Sequence, residues 1–148
     1  MFKKIVVGLD GSDHAENALR VACDIGQKYN SEIHLVYTAH PETVGFAVGA
    51  VAGFHAASTM PTAAEVKAAG EKVLAAGAAI AKECGQKTTE SHMETGNAAD
   101  QILACADACG ADLIITGRRG MGAIGSLLLG STSQRVAHLA KCACLSVI

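Results

Sequence analysis

Between residues 117 and 131 the chain reads GRRGMGAIGSLLLGS, with five glycines and two arginines in fifteen positions. A turn needs only one or two glycines. A run this rich in them lets main-chain N–H groups come close to a ligand, because no side chain stands in the way. Gly130, Ser131, Thr132 and Ser133 then lead into a stretch with helical periodicity, and a helix N-terminus offers free N–H donors and partial positive charge. Ser131, Thr132 and Ser133 add hydroxyls. Arg118, Arg119, Arg135 and Lys141 all follow the last acidic residue, Asp112. These residue types in this order suit an anion, and phosphate fits best. Neither common phosphate loop is present. Gly120-Met121-Gly122-Ala123-Ile124-Gly125 has the G-x-G-x-x-G spacing, but SLLLGS intervenes before the helix and no acid follows about 20 residues on. No G-K-[ST] occurs.

The second chemical element is Asp10, where the apolar run IVVGL ends in Gly8, Leu9 and Asp10 before Gly11 and Ser12. In open α/β sheets, ligands sit beyond the carboxyl ends of strands, where the strand order reverses. The turn after IVVGLD and the turn after ADLIITG are the two candidates to open onto one crevice.

Other reactive residues form no set by spacing. Cys23, Cys84, Cys105, Cys109, Cys142 and Cys144 contain no Cys-x-x-Cys pair and no zinc-finger pattern with histidine. They read as reduced, buried, small hydrophobes of a reducing compartment. His14, His34, His40, His55, His92 and His138 lack a companion at ligand spacing, so structural or surface roles are expected and no protein metal site is assigned. No Cys–His or Ser–His–Asp set can be assigned, and no catalytic residue is named.

The elements that must position these residues follow from the periodicity. KKIVVGLD, SEIHLVYTA, KTTESHMET, ADLIIT and ACLSVI read as strands. Ser12, Thr62 with Glu65, and Asn97 are helix-cap signals. The second helix is expected to bury Val66, Ala69, Val73, Ala76 and Ile80. The third is expected to bury Ile102, Leu103, Ala106 and Cys109. STSQRVAHLAKC reads as the last helix, and residues 40–61 as a long Gly- and Ala-rich connection. Alternating strands and helices predict a single α/β domain, residues 1–148. Its open parallel five-stranded sheet has order 3-2-1-4-5 and helices on both faces, Rossmann-like.

Composition agrees. Half the 148 residues are hydrophobic but only 3% aromatic, which suits close helix-to-sheet packing. A net charge of -2 argues against a nucleic-acid-binding surface. Asp10 interrupts the first apolar run, so no signal peptide is read, and TVGFAVGAVAGFHAA falls short of a membrane span. A cytoplasmic protein is expected. The polar third strand can face water at a sheet edge. The apolar CLSVI edge needs cover, and pairing with its copy in a two-fold homodimer is the simplest cover.

Gly117-x2-Gly120-x9-Gly130-Ser131, after a strand and before a helix, resembles the nucleotide-binding signature of the universal stress protein family in its ATP-binding branch. IVVGLDGS and CACLSVI are similar to the family's first and last strands, and the likeness covers nearly the whole chain. One departure is Ala143, where the family often has proline. The resemblance implies that Asp10 contacts a ribose, that Gly8 and Leu9 line sugar and base, and that the Val36 main chain reads adenine. It implies that Gly117, Arg118, Gly120, Gly130, Ser131, Thr132 and Ser133 surround the phosphates. It also implies a divalent ion, Mg2+ or Mn2+, carried on those phosphates.

The expected function is that of an ATP-binding stress-response switch acting as a homodimer, with at most slow ATP hydrolysis and with residues 40–61 as a responsive element. Two other readings stay open. One is a flavin- or nicotinamide-binding redox protein, motivated by Gly120 to Gly125 and the cysteines. The other is a nucleotide-free interaction module.

Overall fold

The computed structural model describes residues 1–39, 62–86, 89–120 and 129–148. The 40–61 connection and the Gly122 and Gly125 positions lie outside the described residues. Five strands alternate with four helices: β1 (Lys4–Leu9), α1 (Asp13–Tyr29), β2 (Glu32–Ala39), α2 (Ala63–Glu83), β3 (Thr89–Thr95), α3 (Ala98–Cys109), β4 (Leu113–Gly117), α4 (Ser131–Leu139) and β5 (Ala143–Val147). The sheet is parallel throughout, in the order β3-β2-β1-β4-β5.

The cap signals are realised. Ser12 accepts from Ala15 N, and Asn97 accepts from Ala99 N and Asp100 N. Thr62 and Glu65 form a reciprocal capping box. Residues alternate across the sheet. Ile5, Val7 and Leu9 of β1 join Ile33, Leu35 and Tyr37 of β2 in the larger core, under α1 and α2. Val6, Val36 and Ile114 face the other way and pack with Ile102 of α3 and Val136 of α4. Burying each such aliphatic chain contributes about 1.5–3 kcal/mol against the entropy of ordering.

The α2 face differs from its predicted one. Gly70, Leu74, Gly77, Ile80 and Ala81 are buried, Val66, Ala69 and Val73 are half-buried, and Ala76 is exposed. Two glycines carry the contact. A Cβ on Gly70 would stand 2.7 Å from Tyr37 Cε1, and one on Gly77 2.6 Å from Leu9 Cδ1. Hydropathy does not register a residue whose contribution is an absent side chain. On α3, Ala99, Ile102 and Ala106 are buried, while Leu103 and Cys109 only border that core.

β5 is an edge strand, paired only with β4, and Leu145 and Ile148 are exposed there. Among the described residues, no helix is long and apolar enough to cross a membrane.

Candidate functional site

β1 and β4 are neighbours, with Gly8 opposite Thr116. Their chains leave the sheet in opposite directions, β1 through α1 toward β2 and β4 through α4 toward β5. That divergence is the switch point of the sheet, and the loops after both strands open there.

The β1 side is organised by Asp10. Its Oδ1 accepts from Ser12 N at 3.0 Å and from Ser12 Oγ at 2.6 Å. The same hydroxyl oxygen accepts from Ala15 N at 3.3 Å, so the cap of α1 and the orientation of Asp10 depend on one residue. Ser12 Oγ has one proton. The 2.6 Å contact assigns it to Asp10, leaving Arg119 O at 3.5 Å as a neighbour. The other carboxylate oxygen, Oδ2, lies against Gly120, where any Cβ would overlap it. Asp10 and the β4 loop therefore touch, as the two-loop reading requires. Burial, and then the nearby Asp10 charge, hold the Tyr37 phenol above its ordinary range.

Across the crevice, Arg118 anchors the loop. Its N–H donates to Val147 O at 2.6 Å, and its carbonyl accepts from Gly130 N at 2.8 Å. Ser133 Oγ lies 3.2 Å from Arg118 O and 3.0 Å from Gly130 O, and Ser133 is buried. A hydroxyl thus used helps hold the entry of α4 in place. Ser131 is exposed and Thr132 half-buried. α1, α2 and α3 each carry a side-chain cap, but Gly130 supplies none to α4. The first N–H groups of α4 lack intrahelical acceptors and remain available. The Nε atoms of Arg118 and Arg119 are buried without a hydrogen-bond partner among the described residues. A buried N–H left in that state costs free energy unless an acceptor arrives.

The basic tail is less concentrated than the sequence suggests. Arg135 pairs with Asp100 at 2.8 Å and Lys141 with Asp107 at 2.7 Å, both on α3. Arg118 and Arg119 are what remains of that charge at the crevice.

Two of the predicted glycines have packing reasons of their own. A Cβ on Gly8 would stand 2.6 Å from Ile102 Cδ1, and one on Gly117 2.8 Å from the main chain of His14. A Cβ on Gly130 would meet Arg118 O at 3.3 Å. Leu9 and Val36 have buried side chains, so only their main chains could meet a ligand. Gly8, Leu9, Asp10, Gly117, Arg118, Gly120, Gly130, Ser131, Thr132 and Ser133 gather at this end of the sheet. Val36 sits inside the ladder beside Gly8, three residues before β2 ends. Sequence reasoning missed Thr38, two residues further on. Its buried Oγ1 has no hydrogen-bond partner among the described residues. An alternating strand gives no hint of that orphaned hydroxyl.

Burial raises the thiols of Cys23, Cys105, Cys109, Cys142 and Cys144 above their ordinary range. Burial first, then the neighbouring Cys84 thiol, pushes Cys23 up to about 12, and burial followed by Cys109 does the same to Cys105. All six cysteines are free, but of the burial expected for them only Cys23 has it; Cys84, Cys105, Cys109 and Cys142 are half-buried and Cys144 is exposed.

Comparison with known proteins places this arrangement. The sequence profile of the universal stress protein family matches residues 1–147. A universal stress protein of Thermus aquaticus, from the QAH/OAS sulfhydrylase 3' region, is 34% identical, over 99% of each chain. The crystal structure of a universal stress protein in complex with cAMP superposes with a TM-score of 0.70 at 25% identity, covering 99% of this chain and 96% of that one. The universal stress protein of Archaeoglobus fulgidus in complex with dAMP gives 0.71 at 20% identity, over 99% and 98%. With its strand order, its paired loops and this match over nearly its full length, the chain belongs to the universal stress protein family.

Proposed function

We propose that this chain is an adenine-nucleotide-binding stress-response protein, with ATP as its ligand. One observation carries the reading: the uncapped N-terminus of α4 is held by Arg118 O beside the contact between Asp10 and Gly120. In that crevice the amides of Ser131 and Thr132 and the Arg118 and Arg119 side chains take the phosphates, and Asp10 takes the ribose hydroxyls. The main chain of Val36 and the orphaned Thr38 hydroxyl lie on the strand where the base would rest. The relative crystallised with cAMP supports the purine nucleotide class.

A divalent ion fits only through the ligand. Asp10 is the one carboxylate that builds the described site, and it already serves Ser12. Mg2+ or Mn2+ would take phosphate oxygens and water for its remaining positions.

The free β5 edge, with Leu145 and Ile148 exposed, supports a two-fold dimer formed by pairing that strand with its copy. Six free thiols fit a cytoplasmic location. The protein acts as a switch, binding nucleotide and changing its surface rather than turning substrate over.

Calorimetric titration with ATP and magnesium tests the reading. One nucleotide per chain is expected, with affinity lowered in Asp10→Asn and Thr38→Val. Absence of any thermal shift with ATP, AMP or cAMP would overturn it and favour a nucleotide-free interaction module.

A further inference from the structure

We propose a transition-metal site, separate from the nucleotide crevice, in which His34, His92 and Glu90 bind one Zn2+ on the α3 side of the sheet. The residues come from adjacent parallel strands. Register sets His34 opposite Glu90 and Val36 opposite His92, so the three side chains share one face. His34 Nδ1 lies 3.1 Å from His92 Nε2 and 3.5 Å from Glu90 Oε2, and His92 Nε2 lies 3.9 Å from the same oxygen. Two donors bound tetrahedrally to zinc at about 2.0–2.1 Å stand about 3.3 Å apart. Three donor atoms of the type zinc prefers thus already sit near the edge lengths of a coordination tetrahedron.

The outer shell fits as well. Ligating histidines usually direct their second ring nitrogen at a carboxylate, which fixes the tautomer. His34 Nε2 lies 3.1 Å from Glu32 Oε1, off the line of a hydrogen bond, and has no other partner among the described residues. With the proton on Nε2, Nδ1 presents its lone pair toward His92. The His34 side chain is only 4% exposed, whereas those of Glu90 and His92 are 58% and 31% exposed. One ligand is therefore fixed in the core, and the other two close over it from the sheet edge.

Without a metal, a hydrogen bond between two neutral imidazoles accounts for the 3.1 Å contact. It does not explain why Glu90 Oε2 approaches both rings. Coordination breaks that hydrogen bond and shifts His92 to the tautomer with its proton on Nδ1, exchanged through solvent, so that Nε2 is free to bind; no oxidation state changes. Cys105 and Cys109 form a second trio with His34, with donor atoms within 4.8 Å of one another. The His34, His92 and Glu90 set leaves one tetrahedral position for water, and the two cysteines serve as a control.

The test is a Zn2+ titration of the full chain, stripped of metal, in buffer free of nucleotide and phosphate, against a chromophoric chelator. One Zn2+ per chain is expected. His92→Ala and Glu90→Gln should each weaken it at least about tenfold, with melting curves and ATP binding unchanged. The double variant Cys105→Ser with Cys109→Ser should retain the affinity. Co2+ should give visible d–d bands without the intense near-ultraviolet band of a thiolate ligand. No stoichiometric zinc, wild-type affinity in both His92→Ala and Glu90→Gln, or loss confined to the cysteine variant would each overturn the site.

Discussion

Gly117→Ala and Gly120→Ala look alike on paper but should fail differently. At Gly117 the added methyl would stand 2.8 Å from His14 C, 2.9 Å from Ala15 N and 3.0 Å from His14 Cβ. Carbon contacts are comfortable at about 3.5–4.0 Å, so the first turn of α1 must back away by more than about half an ångström. That turn is main chain, and the same turn holds the Ser12 cap and its bonds to Asp10. Overpacking of this kind costs about 1–3 kcal/mol. At about 2–4 °C per kcal/mol for a chain of this size, the melting temperature should fall by about 2–12 °C. At Gly120, among the described residues, the methyl meets only the carboxylate of Asp10, the end of a side chain that can turn aside. Melting should then be nearly unchanged, while ATP affinity drops roughly 10- to 100-fold, as the loss of a charged hydrogen bond would give. Differential scanning fluorimetry and calorimetric titration of both variants decide it. A Gly117→Ala protein that melts like wild type refutes the packing argument. A Gly120→Ala protein with intact affinity refutes the role given to Asp10.

Other outcomes follow from single contacts. Asn97→Ala removes a cap that serves two N–H groups and should cost about 1 kcal/mol in urea unfolding. Asp112 accepts from the main-chain N–H groups of Lys3 and Lys4, which holds its carboxyl below its usual value of 3.8. Its stabilising effect is therefore complete above that pH and lost as pH falls through the lower folded value. Acid unfolding curves of Asp112→Asn should lack that component, and identical acid limbs would count against it. Native Cys23 and Cys105, with thiols near 12, should alkylate far more slowly at pH 8 than in denaturant, which mass spectrometry can follow. Leu145→Asp should shift the species seen by light scattering from dimer to monomer; a dimer that persists would place the interface elsewhere. Removing Leu145 to Ile148 is a poorer probe, because Leu145 and Val147 also pair with Ile115 and Gly117 of β4.

The alternation of apolar runs and capped helices was enough to read the elements and the parallel α/β class, because Ser12, Thr62 and Asn97 act locally. The meeting of the two loops was legible for a similar reason: Asp10 and Gly120 stand at the ends of neighbouring strands. Three things were hidden. The buried face of α2 runs through Gly70 and Gly77, which hydropathy scores as nothing in particular. Arg135 and Lys141 counted toward a basic crevice until α3 supplied Asp100 and Asp107 as partners. His34 and His92 are 58 positions apart, and only the β2–β3 register brings their rings together. Linear spacing cannot express a pairing set by strand alignment.

The bond from Arg118 N to Val147 O joins the outermost strand to the first residue of the turn after β4. Asn17 of α1 ties down the neighbouring carbonyl of Ile148 at 3.1 Å. Anything that shifts β5 sideways therefore pulls on the guanidinium-bearing turn through one rung. Should a second copy dock on that strand, occupancy of the crevice and self-association become two readouts of one linked equilibrium, each changing the other by the same factor. Diluting the protein would then loosen its hold on nucleotide, and saturating it with nucleotide would strengthen its hold on itself.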